Sequence, residues 1–257
     1  MTDPRQAALL ALDQHLGLIW GAAPPPAPTP QLWEALDRLA LEAELHGLLR
    51  RSAQLAGRQP PPLMAAAWRR RAWQDEGRGL LMRAETGRAL EVLAAAGIQA
   101  MLLKGAALCP VLYGDWSLRP LGDLDLLVRE EAAVLALRTL LAAGYRLVLG
   151  HDELVEGRRG PDLEALTDYH AQVTLLSPSH VVLDLHWHLF DRPAYRHGLP
   201  MGPFWDRALP LEVEGRAAWR LSDADQLLHL AAHPFIHHPE WQGLEGRWRQ
   251  DVAAWLR

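Results

Sequence analysis

The sequence predicts an α+β protein in which a small mixed β-sheet lies between an N-terminal and a C-terminal helical region. Three observations carry this. Apolar residues recur at helical spacing through the first third, interrupted by prolines; short apolar runs bounded by turn residues follow Ile98; and helical spacing returns after Pro200. The implied organisation is a helical region over 1–95, an α/β core over 96–200 and a helical region over 201–257.

Residues 6–20, QAALLALDQHLGLIW, have helical spacing. AAPPPAPTP at 22–30 cannot continue that helix, because proline removes a donor and clashes with the preceding turn, so a stiff linker is expected there. Gln31 to Gly57 is again helical, and QPPP at 59–62 breaks it. Leu63 to Gly97 reads as one long helix or two, with Gly77, Gly79 and Gly87 as weak points. IQAMLLKG, from Ile98, suits a buried strand entering a turn, and AALCPVLYG a short helix limited or kinked by Pro110.

DWSLRPLG at 115–122 has loop residues, DLDLLV at 123–128 alternates as a half-buried strand, and REEAAVLALRTLLAAG at 129–144 is an amphipathic helix. YRLVLG at 145–150 could be a third strand, and the polar stretch 151–168 a loop or insertion. YHAQVTLLSP and HVVLDLHWHLF read as a hairpin turning at Ser177-Pro178-Ser179. Beyond Pro200, LSDADQLLHLAAH starts at a Ser222 N-cap, and RWRQDVAAWLR is helical.

Composition narrows the function classes. With 257 residues, 49% of them hydrophobic, the chain can bury a sizeable core. No apolar run approaches the roughly 20 residues of a membrane span, and MTDPRQAALLALDQ lacks a signal-peptide layout, so a cytoplasmic protein without membrane partners is expected. Cys109 is the single cysteine, which excludes an internal disulfide and a thiolate zinc cage and suggests a buried small hydrophobe. A net charge of −5 offers no global field for a nucleic-acid backbone. WRRRAWQDEGR at 68–78 is a local basic cluster, either a solvated helix face or a nucleic-acid patch. Among 26 basic residues Lys104 is the only lysine, which singles out a place where a compact ammonium does what a guanidinium fork cannot.

The strongest chemical signal is Asp123 with Asp125, because side chains two apart on a strand leave from one face. Adjacent carboxylates repel unless cations lie between them. Magnesium takes oxygen ligands and substrate phosphate, so the pair suits Mg²⁺ with a nucleoside triphosphate, and two ions roughly 3.5–4 Å apart could assist both the attacking oxygen and the departing pyrophosphate. The bland alternative is an acidic strand start at an exposed edge. Upstream, Lys104-Gly105 leads from a strand into a helix, where free N–H groups favour phosphate oxygens. It is not the GxxxxGK[ST] loop of P-loop enzymes.

KGAALCPVLYGDWSLRPLGDLDLLV resembles the signature of uncharacterised bacterial nucleotidyltransferases within the DNA polymerase β-like superfamily. The likeness is close over 102–129 and looser through VVLDLHWHL, FWDRA and LSDADQLLHLAAH. The resemblance implies Asp123 and Asp125 as metal ligands and Asp184 as the third carboxylate, which could also deprotonate the attacking hydroxyl. His186, on the same strand face as Asp184, could be base, orienting partner, substrate contact or a structural histidine. Arg119 could clamp the triphosphate, and the resemblance places an arginine there too, or it could pair with Asp115. Lys-Gly stands where the superfamily has Gly-Ser, which leaves the phosphate contacts open.

His229, His233 and His237 recur at four-residue spacing, either as metal ligands or in packing, with Pro234 expected to interrupt their helix. Tryptophans 187, 205, 241, 248 and 255 are expected to fill the core. The implied reaction is transfer of a nucleoside monophosphate from an NTP, ATP among them, to a hydroxyl or amine of a small-molecule or protein acceptor, with Mg²⁺ or Mn²⁺. A catalytically inactive nucleotide-binding module of the same fold is the alternative, and a histidine-bound zinc protein a third. Relatives are expected to carry more helix beyond Asp251, so a partner protein could supply an acceptor-binding part.

Overall fold

The computed structural model describes residues 4–149, 153–154, 162–237 and 246–257. These residues group into two compact units, one made of Met1–Leu80, Leu112–Pro120 and Leu244–Arg257, the other of Leu81–Val111 and Leu121–Gly243.

The first unit is helical: α1 (Pro4–Gly17), α2 (Pro30–Glu42), α3 (His46–Leu55) and the opening turns of α4 (Pro62–Ala95). The proline stretch stops α1 as expected, and Pro30 opens α2, where it has no N–H to leave unsatisfied. Thr29 caps that helix by accepting from the Leu32 N–H at 3.2 Å. Residues 31–57, read as helical, form two helices, because the chain turns at Ala43–Leu45 with Glu44 at φ +55°. Leu12, Leu16, Leu36, Leu48, Leu49, Trp33 and Trp68 make the apolar core, and full burial of such side chains stabilises by about 1.5–3 kcal/mol each.

Residues 63–95 form one helix, not two, and its glycines are places of close approach. A Cβ at Gly79 would stand 3.0 Å from the Trp116 carbonyl carbon. Loop 112–120 is tied down from within the same unit. Arg119 Nε donates to Asp251 Oδ1 at 2.9 Å and Nη2 to Oδ2 at 2.6 Å, both side chains being buried, and the Tyr113 hydroxyl also donates to Asp251.

The second unit takes the remainder of α4, then β1 (Ala100–Leu102), α5 (Lys104–Leu108), β2 (Leu124–Val128), α6 (Ala133–Ala142), β3 (Arg146–Leu149), β4 (Glu153–Leu154), α7 (Leu163–Tyr169), β5 (Gln172–Leu176) and β6 (Val182–His186). It ends with α8 (Pro193–Gly198), α9 (Gly202–Asp206), β7 (Leu209–Val213), β8 (Arg216–Arg220) and α10 (Asp223–His237). The last element of the chain, α11 (Gly246–Trp255), belongs to the helical unit.

The strands form one mixed sheet in the order β4-β3-β5-β6-β2-β1-β8-β7. β2 lies at its centre, antiparallel to β1 and parallel to β6. All five of its residues are buried, so the half-buried strand expected from the alternation at 123–128 is instead a strand covered on both faces. Met101, Leu103, Leu127, Phe190, Phe204 and Trp205 pack into the core beside it. Glu85 of α4 is buried and accepts from the Tyr145 and Ser179 hydroxyls, and burial together with the Glu85 charge pushes the Tyr145 phenol up.

Other expectations also fail in this unit. Residues 209–220, read as part of a helical C-terminal region, are the β7–β8 hairpin. Its turn is Glu214-Gly215 with φ +53° and +70°, the two left-handed residues of a type I′ turn, whose twist suits a hairpin better than the helix-forming composition suits a helix. Part of 151–168, read as loop, is instead the short β4 and α7, the latter capped by Asp162; residues 150–152 and 155–161 lie outside the described ones. Cys109 is buried, as are Trp187 and Trp205; Trp248 and Trp255 are half-buried, and Trp241 lies outside the described residues.

Candidate active site

The β1-α5-β2 path sets the site. The Leu103 N–H donates to the Asp125 carbonyl at 3.0 Å, extending the β1–β2 ladder by one bond before the chain turns into α5. Lys104 makes that turn at φ +43°, a left-handed conformation that costs a non-glycine residue roughly 1–2 kcal/mol. Gly105 follows, buried, and α5 runs into a π turn at Cys109–Tyr113, so Pro110 does not end the helical path but widens it.

The strained lysine is aimed at a carboxylate. Lys104 Nζ donates to Asp125 Oδ1 at 2.6 Å. Asp125 faces Asp184 across the parallel β2–β6 register, which places the two carboxylates side by side. His186, two residues on, lies with Nε2 2.9 Å from the same Asp125 Oδ1. A carboxylate only accepts, so Nε2 carries a proton and donates it. One ligand atom from each of Asp125, Asp184 and His186 lies within 4.8 Å of the others, a group able to hold a metal ion.

Electrostatics follow from burial. Desolvation alone would raise the Asp125 carboxyl, but the Lys104 ammonium and the His186 contact outweigh it and hold Asp125 well below the usual carboxylate range. Burial would lower the Lys104 ammonium, yet Asp125 most of all, then Asp123 and Asp184, push it above its ordinary value. The four charged groups therefore form one coupled set.

Asp123, the half-buried residue just before β2, joins this set through its charge on Lys104. Asp184, also half-buried, accepts from the Thr174 hydroxyl at 2.6 Å, and its other oxygen has no hydrogen-bond partner among the described residues. Thr174 was not foreseen. It is the antiparallel partner of Asp184 in the β5–β6 hairpin, so counting back from the Ser177–Ser179 turn would have found it.

Arg119 lies in the helical unit, where Asp251 takes up its guanidinium. The alternative partner, Asp115, instead accepts from the Ser117 N–H at 2.8 Å. α10 runs through Pro234 without a break, contrary to expectation. His229 and His233 are buried and meet edge-on, centroids 5.6 Å apart, and the side chain of His237 lies outside those described.

Fold and cluster together define a mixed-sheet α+β protein whose central parallel strands carry a cation-balanced carboxylate pair, one member buried and one half-buried. A sequence profile of the family described as uncharacterised nucleotidyltransferase matches residues 29–257, and the chain belongs to that family. The crystal structure of an antigenic nucleotidyltransferase-like protein from Paracoccidioides brasiliensis is similar over 68% of this chain and 75% of that one, with 18% identity and a TM-score of 0.43. No curated protein sequence matches the chain. Among the described residues no helix is long and apolar enough to cross a membrane.

Proposed function

We propose that the chain transfers a nucleoside monophosphate from an NTP, such as ATP, to a hydroxyl or amine of a small-molecule or protein acceptor in the cytoplasm. The observation that carries this reading is the pairing of Asp125 with Asp184 across β2 and β6, joined by His186 within ligand distance. Membership of a nucleotidyltransferase family supports the reaction class.

The donor set fits a divalent cation, since hard carboxylate oxygens suit Mg²⁺ or Mn²⁺. Asp125 and Asp184 would hold it, and Asp123, whose charge acts on Lys104, would be the further carboxylate. Bound there, the ion would neutralise charge developing on the phosphoryl oxygens. The remaining work falls to the chain's own groups. Thr174 fixes one Asp184 oxygen, which leaves the other to accept a proton from the acceptor nucleophile. His186 orients Asp125 through Nε2–H. Lys104 carries a fixed positive charge beside Gly105, where a phosphate oxygen of the NTP would compete with Asp125 for the ammonium.

That same contact favours a second reading. Lys104 and His186 both engage Asp125 Oδ1, so the protein balances this carboxylate by itself and could hold a nucleotide without turning it over.

The test supplies labelled NTPs, Mg²⁺ and cell extract as acceptor source, and compares wild type with Asp125→Asn/Asp184→Asn. Metal-dependent incorporation that disappears in the double variant supports transfer. Saturable nucleotide binding without label in any acceptor assigns the chain to the binding module, and absence of both rejects the two readings.

A further inference from the structure

The helical unit contains a cavity of about 650 Å³ that the carboxylate cluster does not use. Its walls come from α3, the α3–α4 connection at 58–60, the first turns of α4 and residues of 113–118, all within that unit. The volume falls in the range of small-molecule sites, roughly 300–1,000 Å³.

Four arginines line it, Arg50, Arg51, Arg58 and Arg69, against two acidic residues, Glu76 and Asp115. Arg50 is partly compensated by Asp75 at 3.7 Å. Arg58 has no carboxylate partner among the described residues: it donates to the Pro25 and Pro26 carbonyls and lies 3.4 Å from His15 Nε2. His15 registers this charge, being held below its ordinary value first by burial and further by Arg58, against the opposing bond from its Nδ1 to the Ala11 carbonyl. Arg51 and Arg69 are exposed and unpaired among the described residues. In a chain of net charge −5, this concentrates positive potential in one concave place.

The apolar part of the wall is rigid. Trp68 is buried, its Nε1 donating to Asp37 at 2.7 Å, and the Tyr113 ring is held by its hydroxyl bond to Asp251. Ala53, Ala65 and Ala72 leave the space between them open.

We propose that this cavity binds a small organic anion, a phosphate or carboxylate attached to a planar or apolar body. Planar guanidinium forks match either oxyanion bidentately, and the Trp68–Tyr113 wall takes the body. The basic run 68–78 is thereby divided: Arg69 serves the cavity, whereas Arg71 is spent on Asp37 at 3.0 Å. The limited volume of the cavity and the negative net charge favour this over a polynucleotide. The proposal stands apart from the transfer reaction.

Calorimetric titration of the full chain with 1-naphthyl phosphate, 1-naphthoate and uncharged 1-naphthol tests it. One saturable site for at least one of the two anions, and at least tenfold weaker binding of naphthol, is expected; the preferred anion identifies the oxyanion. Arg51→Ala/Arg69→Ala should weaken anion binding at least tenfold with the thermal melt unchanged, since both side chains are exposed. Ala72→Trp, which keeps every charge and fills the space, should abolish it, while Arg70→Ala, an exposed arginine outside the cavity, and Lys104→Gln should leave it intact. Absence of saturable binding, equal affinity in the arginine or Ala72 variants, loss in Lys104→Gln, or displacement by a single-stranded oligonucleotide would each overturn the proposal.

Discussion

Replacing Lys104 with methionine removes the ammonium from the carboxylate set and keeps a side chain of similar length. Asp125, about 4% exposed, would then face Asp184 with only His186 as a partner. Removing one member of a buried pair costs about 3–5 kcal/mol, but Lys104 is about 19% exposed and His186 remains, so about 2–3 kcal/mol is expected. For a unit of this size that lowers the melting temperature by roughly 5–10 °C. A divalent cation should repair the loss, because it replaces the missing positive charge and no longer competes with the ammonium. At a concentration about 100-fold above its dissociation constant it returns about 2.7 kcal/mol. Scanning calorimetry with and without Mg²⁺ reads both effects. A variant that melts with wild type, or a cation shift no larger than that of wild type, would refute the view that Lys104 stands in for a metal charge.

The acid limb of stability should show Asp125. Its folded pKa is depressed, so its contribution is complete above the unfolded value of about 3.9 and is lost as pH falls towards the folded value; urea unfolding between pH 6 and 2 should be less pH-dependent in Asp125→Asn. Asp251→Asn leaves the buried Arg119 guanidinium facing a neutral amide and should cost about 3–5 kcal/mol, measured as a lower urea midpoint. Gly47→Ala would drive a Cβ to 2.9 Å from the Leu118 carbonyl oxygen and 3.0 Å from that of Ser117, backbone that cannot swing aside. A loss of about 1–3 kcal/mol, again by urea unfolding, is expected. Lys104→Gly should be about 1 kcal/mol more stable than Lys104→Ala, since only the φ +43° strain separates them, and paired melts of the two variants check it.

Local pattern carried the central unit of the fold. IQAMLLKG and DLDLLV announced two strands because their apolar spacing, length and bounding turns agree, and β1, α5 and β2 follow in that order. The two-residue period placed Asp184 and His186 on one face. The meeting of that face with Asp125 depends on the β2–β6 register, which spans some sixty residues of chain and leaves no local mark. Long range defeated the reading elsewhere too: Arg119 finds Asp251 from the far end of the sequence, where a nearby Asp115 was the visible candidate. The β7–β8 hairpin was missed for the opposite reason. Its signal, Glu214-Gly215 between short alternating runs, is local, but leucine, glutamate and alanine around it weigh towards helix. The break between α2 and α3 likewise turns on a left-handed glutamate that few sequences would advertise.

The salt bridge of the only lysine gives the protein a built-in chemical reporter. Acylating reagents attack the unprotonated amine, and this one is kept protonated and tied to Asp125 for as long as that carboxylate is free to hold it. Whatever draws Asp125 away, a cation or a rearranged strand, exposes a single nucleophile at a known position. The yield of one modified peptide therefore reads out the state of the carboxylate pair, in the unaltered chain and with no attached label.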